Sequence, residues 1–269
     1  MLSDLPEPNR APLPGSPLEL VVWQLQLAEP LEIGDPKVGT GLQAALSDEA
    51  GQFGLARLAP PALTVAVTQG SVPAGQPSAV EPFPPEEGWR LQRDGLVVTL
   101  NNQALTLESS AYTDWDDFRP IFERSLQALA NLVELSGEQR LGLRFVDKVV
   151  RSDVERPSDW TPWIESWLLG PLQHPTLADS VQGLAQQIDF DAGEGLRLTL
   201  RSRVFPDPER RGRSSCLLDF DAFREGYRLY DLQGVLETSD ALNTLSLQVF
   251  QTSITSDLYN AFAGTLPSG

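Results

Sequence analysis

Between Trp89 and Val150 the chain switches from a two-residue apolar period to a helical one and back again, and that switch narrows the folds open to it more than any other feature. Trp89–Leu91, Gly95–Leu100 and Ala104–Glu108 read as strands, with Asp94-Gly95 and Asn101-Asn102 as the turns between them. The Asn-Asn pair favours positive φ and suits a tight hairpin. Phe118, Ile121, Phe122, Leu126, Leu129, Leu132 and Val133 then recur at helical spacing, which predicts an amphipathic helix from Asp114 to about Leu135. Thr113 is the expected N-cap. Asp116 follows three residues on, and Asp114, Asp116 and Asp117 complement the helix N-terminus. After Ser136-Gly137, Arg140–Val150 alternates again. Leu141, Leu143, Phe145 and Asp147 share one face; Gly142, Arg144, Val146 and Lys148 share the other. Hairpin-linked strands followed by a helix imply an α+β layer structure with antiparallel pairing, not a doubly wound sheet.

The remainder repeats this grammar. Leu18–Leu27 reads as a strand burying Trp23, Leu25 and Leu27. A short helix is expected over Gly41–Ala50, a brief strand over Leu63–Val67, and a Pro/Gly/Ser-rich loop over Thr68–Gly88. In the second half a helix is expected from Ser158 or Thr161, then strands at Val181–Asp191, Leu196–Phe205 and Ser215–Asp221. A long helix from Asp240 to Phe262, capped by Ser239, closes the chain. Each half thus combines several antiparallel strands with one long amphipathic helix. The expectation is antiparallel sheet with both long helices on one face and a pseudo-duplication of halves 18–152 and 153–269, which one continuous domain could hold. Residues 1–17, with five prolines, read as a disordered arm.

Composition removes several functions. Acids outnumber bases 37 to 20, a formal charge of −17, which repels a phosphate backbone and argues against duplex nucleic acid as partner. No apolar run reaches the ~18 residues of a spanning helix, and MLSDLPEPNRAPLPGSP lacks the basic and apolar regions of a secretory signal, so a cytoplasmic location and no membrane partner are expected. The single cysteine, Cys216, cannot form an internal disulfide, and the single histidine, His174, rules out a multi-histidine metal site. No Gly-x-Ser-x-Gly elbow, Walker loop, Gly-x-Gly-x-x-Gly turn or His-Glu-x-x-His occurs, and no cofactor is expected.

Several segments resemble a sporadically distributed family of uncharacterised prokaryotic proteins. SPLELVVWQLQL is similar to the family's opening strand. VVTLNNQALTLESSAYTDWDDF followed by RLGLRFVDKV is similar to its central signature, a Tyr-x-x-Trp-x-x-Phe helix start and an Arg-x-Gly-Leu-Arg-aromatic strand. LLDFD and LQVFQTSITSDL are similar to its last strand and last helix. Asp147 departs from the pattern, which expects Asn there. The resemblance implies a prokaryotic cytosolic protein, and the patchy distribution an accessory role in defence or on a mobile element. It carries no catalytic residues over.

Three groups of side chains could carry function. Asp-Phe-Asp occurs in IDFDAGEGLRL and again in LDFDAFREGYRL, so Asp189, Asp191, Asp219 and Asp221 each face away from Phe190 and Phe220 on their strands. If those strands are neighbours, four carboxylates could hold Mg²⁺ or Ca²⁺ for phosphate-ester chemistry; the plainer alternative is a solvated strand face. Arg197, Arg201, Arg203, Arg210, Arg211 and Arg213 give 197–213 a net +4 against Asp207 and Glu209, enough to clamp a phosphate or acidic peptide, or simply to pair with surplus carboxylates. Trp160, Trp163 and Trp167 fall on one face of the expected helix, either as core or as a partner anchor, with Trp163 the expected anchor. The reading that follows is a non-enzymatic binding or protein-interaction module whose partner is another protein or a second copy. A divalent-metal-dependent enzyme acting on phosphate esters or nucleotides is the alternative.

Overall fold

The computed structural model describes residues 2–47, 51–58 and 87–265. The strand expected at Leu63–Val67 lies outside them, as does nearly all of the loop expected over Thr68–Gly88. The described strands are β1 (Leu18–Leu27), β2 (Gly54–Arg57), β3 (Gly88–Arg93), β4 (Leu96–Asn101), β5 (Ala104–Ser109), β6 (Gly137–Val150), β7 (Leu184–Gly193), β8 (Leu196–Pro206) and β9 (Ser214–Leu229). All join one antiparallel sheet in the order β2-β3-β4-β5-β1-β6-β9-β8-β7. The helices are α1 (Pro36–Leu46), α2 (Trp115–Leu132), α3 (Leu232–Ser253) and α4 (Ser256–Phe262). The α+β expectation therefore holds, and one sheet runs through both halves where β6 meets β9.

Register decides what each face carries. Val21, Trp23 and Leu25 pair with Phe145, Leu143 and Leu141 of β6, and these pair onward with Phe220, Ala222 and Arg224 of β9. On the other side they pair with Ser109, Leu107 and Leu105 of β5. This face is apolar almost throughout, and the helices lie on it. The Trp23 ring stacks on Phe122 of α2 at 4.7 Å and 8° between planes. Its Nε1–H donates to Ser239 Oγ of α3 at 2.9 Å. Phe250 of α3 meets Phe220 edge-on, and α1 brings Gly39 against the Trp89 ring so closely that a Cβ there would sit 2.5 Å from it. Trp115 Nε1 and Arg119 of α2 both donate to Asp240 of α3, which ties the two long helices together.

Local chemistry explains where the elements depart from expectation. Asp114, not Thr113, caps α2: its carboxylate accepts from Asp117 N at 2.8 Å, while the Thr113 hydroxyl donates to the Asp117 side chain. The tight turn with positive φ is Asp94-Gly95, at 45° and 80°. Asn101 works through its side chain instead, accepting from Gln103 N and Ala104 N. The last long helix begins earlier than expected, at Leu232, because Asp231 caps it through Gly234 N. It ends at Ser253, and Thr255 caps a separate α4. Ser239 is thus no cap. With Ser246 and Ser253 it forms a seven-residue series of buried hydroxyls, each returned to the carbonyl four residues back, and these small side chains let α3 lie close on the sheet. No single helix spans 158–168; short 3₁₀ turns replace it, since Pro157, Pro162 and Pro171 interrupt the amide series. Residues 2–17, read from their prolines as a disordered arm, lie along α3, with Asn9 exchanging two hydrogen bonds with Gln251 and Arg10 donating to Thr244.

Ser239→Ala leaves the buried Trp23 indole N–H without an acceptor and should lower stability by about 1–3 kcal/mol. Ser253→Ala, which removes only a hydroxyl bonded within its own helix, should lower it less. Urea denaturation of both variants measures the difference.

Candidate functional site

The opposite face of the sheet carries no helix among the described residues. Odd-numbered positions of β7, β8 and β9 and even-numbered positions of β6 point there. Arg197, Arg201 and Arg203 consequently share a face with all four Asp-x-Asp carboxylates, as the strand period requires. The carboxylates do not converge. β8 lies between β7 and β9, so two strand spacings, roughly 10 Å, separate Asp189 and Asp191 from Asp219 and Asp221. Guanidinium and hydroxyl groups fill the gap. Arg144 clasps Asp219 through Nε and Nη2 at 2.7 and 2.8 Å, and Arg201 reaches the same carboxylate from the other side at 3.6 Å. Asp219 is only 5% exposed beneath them, although no helix among the described residues covers that face. Arg140 holds Asp221 at 3.0 Å and lies over the Phe223 ring. Thr199 and Gln187 donate to Asp189 and hold its carboxyl below the usual range. Asp191 accepts from Gly193 N. The result is a ladder of alternating charge across β7, β8, β9 and β6. Among the described residues no group of three or more acidic, histidine or cysteine side chains could hold a metal ion.

The remaining arginines sit in the β8–β9 connection. Asp207 organises this loop: it accepts from Ser215 Oγ at 2.6 Å and from Glu209 N at 2.9 Å, which keeps its carboxyl below the ordinary range. Arg213 reaches Glu155 at 3.2 Å, and Arg210 tucks Nη1 inside without a hydrogen-bond partner. Arg211 is exposed and Arg203 leans over the Phe205 ring. Trp163 corrects the sequence expectation. It shares no helix with Trp160 and Trp167, and the Arg151 guanidinium lies 3.5 Å over its ring, so it is not a free anchor. Trp160 is fully buried with its N–H on Ser214, while Trp167 is 41% exposed.

A second site lies on the helix-bearing side, and sequence reasoning missed it. A cavity of about 510 Å³ opens between the arm (Asn9–Ser16), the start of α2 (Tyr112–Asp116), Phe145 and Asp147 of β6, and Asn243, Ser246 and Phe250 of α3. Asp147 and Asn243 are each 5% exposed, yet neither side chain makes a hydrogen bond among the described residues; nor does the Tyr112 hydroxyl. Burial, reinforced by Glu19, pushes the Asp147 carboxyl up to about 8. Burial and then the Asp147 carboxylate push the neighbouring Cys216 thiol up to about 12. Five segments distant in sequence build this cavity, Phe220 of β9 among them, so no linear motif announces it. The one available signal was an acid on the apolar face of an alternating strand.

No protein-family model matches this chain, and no curated protein matches it. No helix among the described residues is long and apolar enough to cross a membrane.

Asp219→Asn should lower stability by about 1–2 kcal/mol in thermal or urea unfolding, less than a fully buried pair would, because Arg144 and Arg201 reach water. Asp147 acts in the opposite sense. Its folded carboxyl titrates near 8 and its unfolded one near 3.8, so the folded state holds the extra proton between those values. Stability should fall as pH rises through that window, by up to about 1.4 kcal/mol per pH unit, and level off above it. Asp147→Asn should remove this slope, so that its stability advantage over the unmodified chain grows with pH; a constant difference would refute the assignment.

Proposed function

We propose that the protein is a non-catalytic binding module whose open sheet face receives a protein partner. The observation that carries this reading is the ladder itself: charged side chains on that face alternate in sign across four strands, with ion pairs joining β6, β8 and β9, and are not gathered around a reactive centre. Over β6 to β9 the open face carries Arg140, Arg144, Lys148, Arg197, Arg201 and Arg203 against Asp189, Asp191, Asp219, Asp221 and Glu225. It is therefore close to neutral on a chain of −17. A mixed surface of this kind suits a protein with complementary charge pattern better than a uniformly charged polymer. Arg197, 64% exposed with only a 3.9 Å approach to Glu225, and Arg203, which makes no ion pair among the described residues, are the groups most available to a partner. An accessory role in a prokaryotic defence or mobile-element system, in the cytoplasm, remains the biological setting we propose from the resemblance noted above. A metal-dependent phosphate-ester activity is the weaker reading, because β8 stands between the two carboxylate pairs.

Affinity capture from the native cytosol should recover a specific protein. Arg197→Glu combined with Arg203→Glu should reduce that recovery by at least about tenfold without a change in melting temperature. Titration with Mg²⁺ should give no saturable heat. Saturable Mg²⁺ binding lost in Asp219→Asn would favour the enzyme instead, and unchanged recovery by the double variant would end the open-face assignment. Sedimentation of the purified chain separates self-association from binding to another protein.

A further inference from the structure

We propose that the cavity between the N-terminal arm, α2, β6 and α3 binds a small organic ammonium compound, with Asp147 as counter-ion and Tyr112 and Asn243 as hydrogen-bonding groups. This site is independent of the open face, since it lies on the other side of the sheet.

Three observations point to that ligand class. First, the cavity is sized for a small molecule: about 510 Å³ falls within the range of ligand pockets. Second, its polar lining is unfinished. Asp147 and Asn243, each about nineteen-twentieths covered, and the Tyr112 phenol line one space and hydrogen-bond to no described residue, so a ligand in the cavity meets polar groups that no described protein group has taken. Third, charge and walls select a cation. Asp114 and Asp116 at the start of α2 line the cavity against Arg10 of the arm, and Glu19 of β1, outside the lining, adds to the negative field at Asp147. Arg10 is already engaged with Thr244. The α2 N-terminus would otherwise attract an anion, but Asp114 already occupies its amide at Asp117. Tyr112, Phe145 and Phe250 supply ring faces and edges of the kind that surround bound ammonium groups.

Binding a cation beside Asp147 requires that carboxyl to ionise, so below its folded titration point the ligand must displace a proton. The other titrating neighbours, Tyr112 and Cys216, are shifted upward and keep theirs. Isothermal titration of the full chain at about pH 6.5, with phenethylamine, agmatine and choline as probes and 3-phenylpropionate and 2-phenylethanol as controls, tests this. Repetition in buffers of different ionisation enthalpy counts protons released. The expected result is saturable, sub-millimolar binding of at least one cation with release of close to one proton, and none for the carboxylate. Asp147→Asn should abolish the release and weaken binding at least about tenfold. Tyr112→Phe should weaken binding while leaving the release intact, which keeps the test decisive if the Asp147 variant does not fold. No saturable heat with any of the three cations, preferential binding of 3-phenylpropionate, or binding without proton release by the unmodified chain would overturn the proposal.

Discussion

Trp23 is the point on which the two layers depend. It sits in the strand at the middle of the nine and touches both long helices at once, with its ring face on Phe122 and its N–H on Ser239. An indole is one of few side chains that can do both, because its body is apolar and its one polar atom lies at the edge. The contact also fixes distances. A stacked ring at 4.7 Å sets how near α2 comes, and a serine at the contact, in place of a larger residue, sets how near α3 comes. Asp240 then locks the helices to each other from above, through Trp115 and Arg119. With both helices held on one side, no described helix covers the other face of the sheet.

That face shows how a sheet stabilises charge where no described helix covers it. Arg144 and Arg201 are each nearly half exposed, but their stems and guanidinium groups shield Asp219 to 5%. Cross-strand neighbours of opposite sign contribute modestly, pair by pair. Their larger effect is on register. A slip of one residue between β8 and β9 would place Asp219 and Asp221 against the helix layer, where Phe220 now packs, so the ladder and the core specify the same pairing.

Much of this was legible because period two and period 3.6 are strong signals when one face is buried. The strands from β3 to β5, β6 and α2 fall within a few residues of the sequence reading, and counting puts each Asp-x-Asp pair on one face of its own strand, while register puts the arginines beside them. Failures came where a polar residue acts inward. Ser239 looks like a cap and is a buried contact to Trp23; the run from Glu237 to Asp240 therefore hid the first two turns of α3. The tryptophans at 160, 163 and 167 keep helical spacing, but Pro162 between them, with Pro157 and Pro171 on either side, accompanies short turns in place of a helix, and spacing then says nothing about a common face. Strand order is the other limit. Whether the two Asp-Phe-Asp strands are neighbours cannot be read from either strand, and the intervening β8 separates what would otherwise be four ligands.

The two candidate sites are separated by a single pleat. On β6, Phe145 and Asp147 line the cavity while Arg144 and Lys148 stand on the open face; on β9, Phe220 lines the cavity while Asp219 and Asp221 complete the ladder. Both sites thus rest on the longest paired strands of the sheet, whose register runs from Gly137–Leu229 to Val150–Ser215. Asp147 differs from the open-face carboxylates in its partners. On the open face Asp189 finds Thr199 and Gln187, Asp191 the Gly193 N–H, and Asp219 and Asp221 guanidinium groups. On the helix side Asp147 finds only rings, an amide without a partner and another acid, so it keeps its proton and weighs against the fold as pH rises. A carboxylate kept in a position where it works against stability, with an isosteric neutral residue available, is a feature that packing alone does not account for. The cavity in front of it is where an account has to be sought.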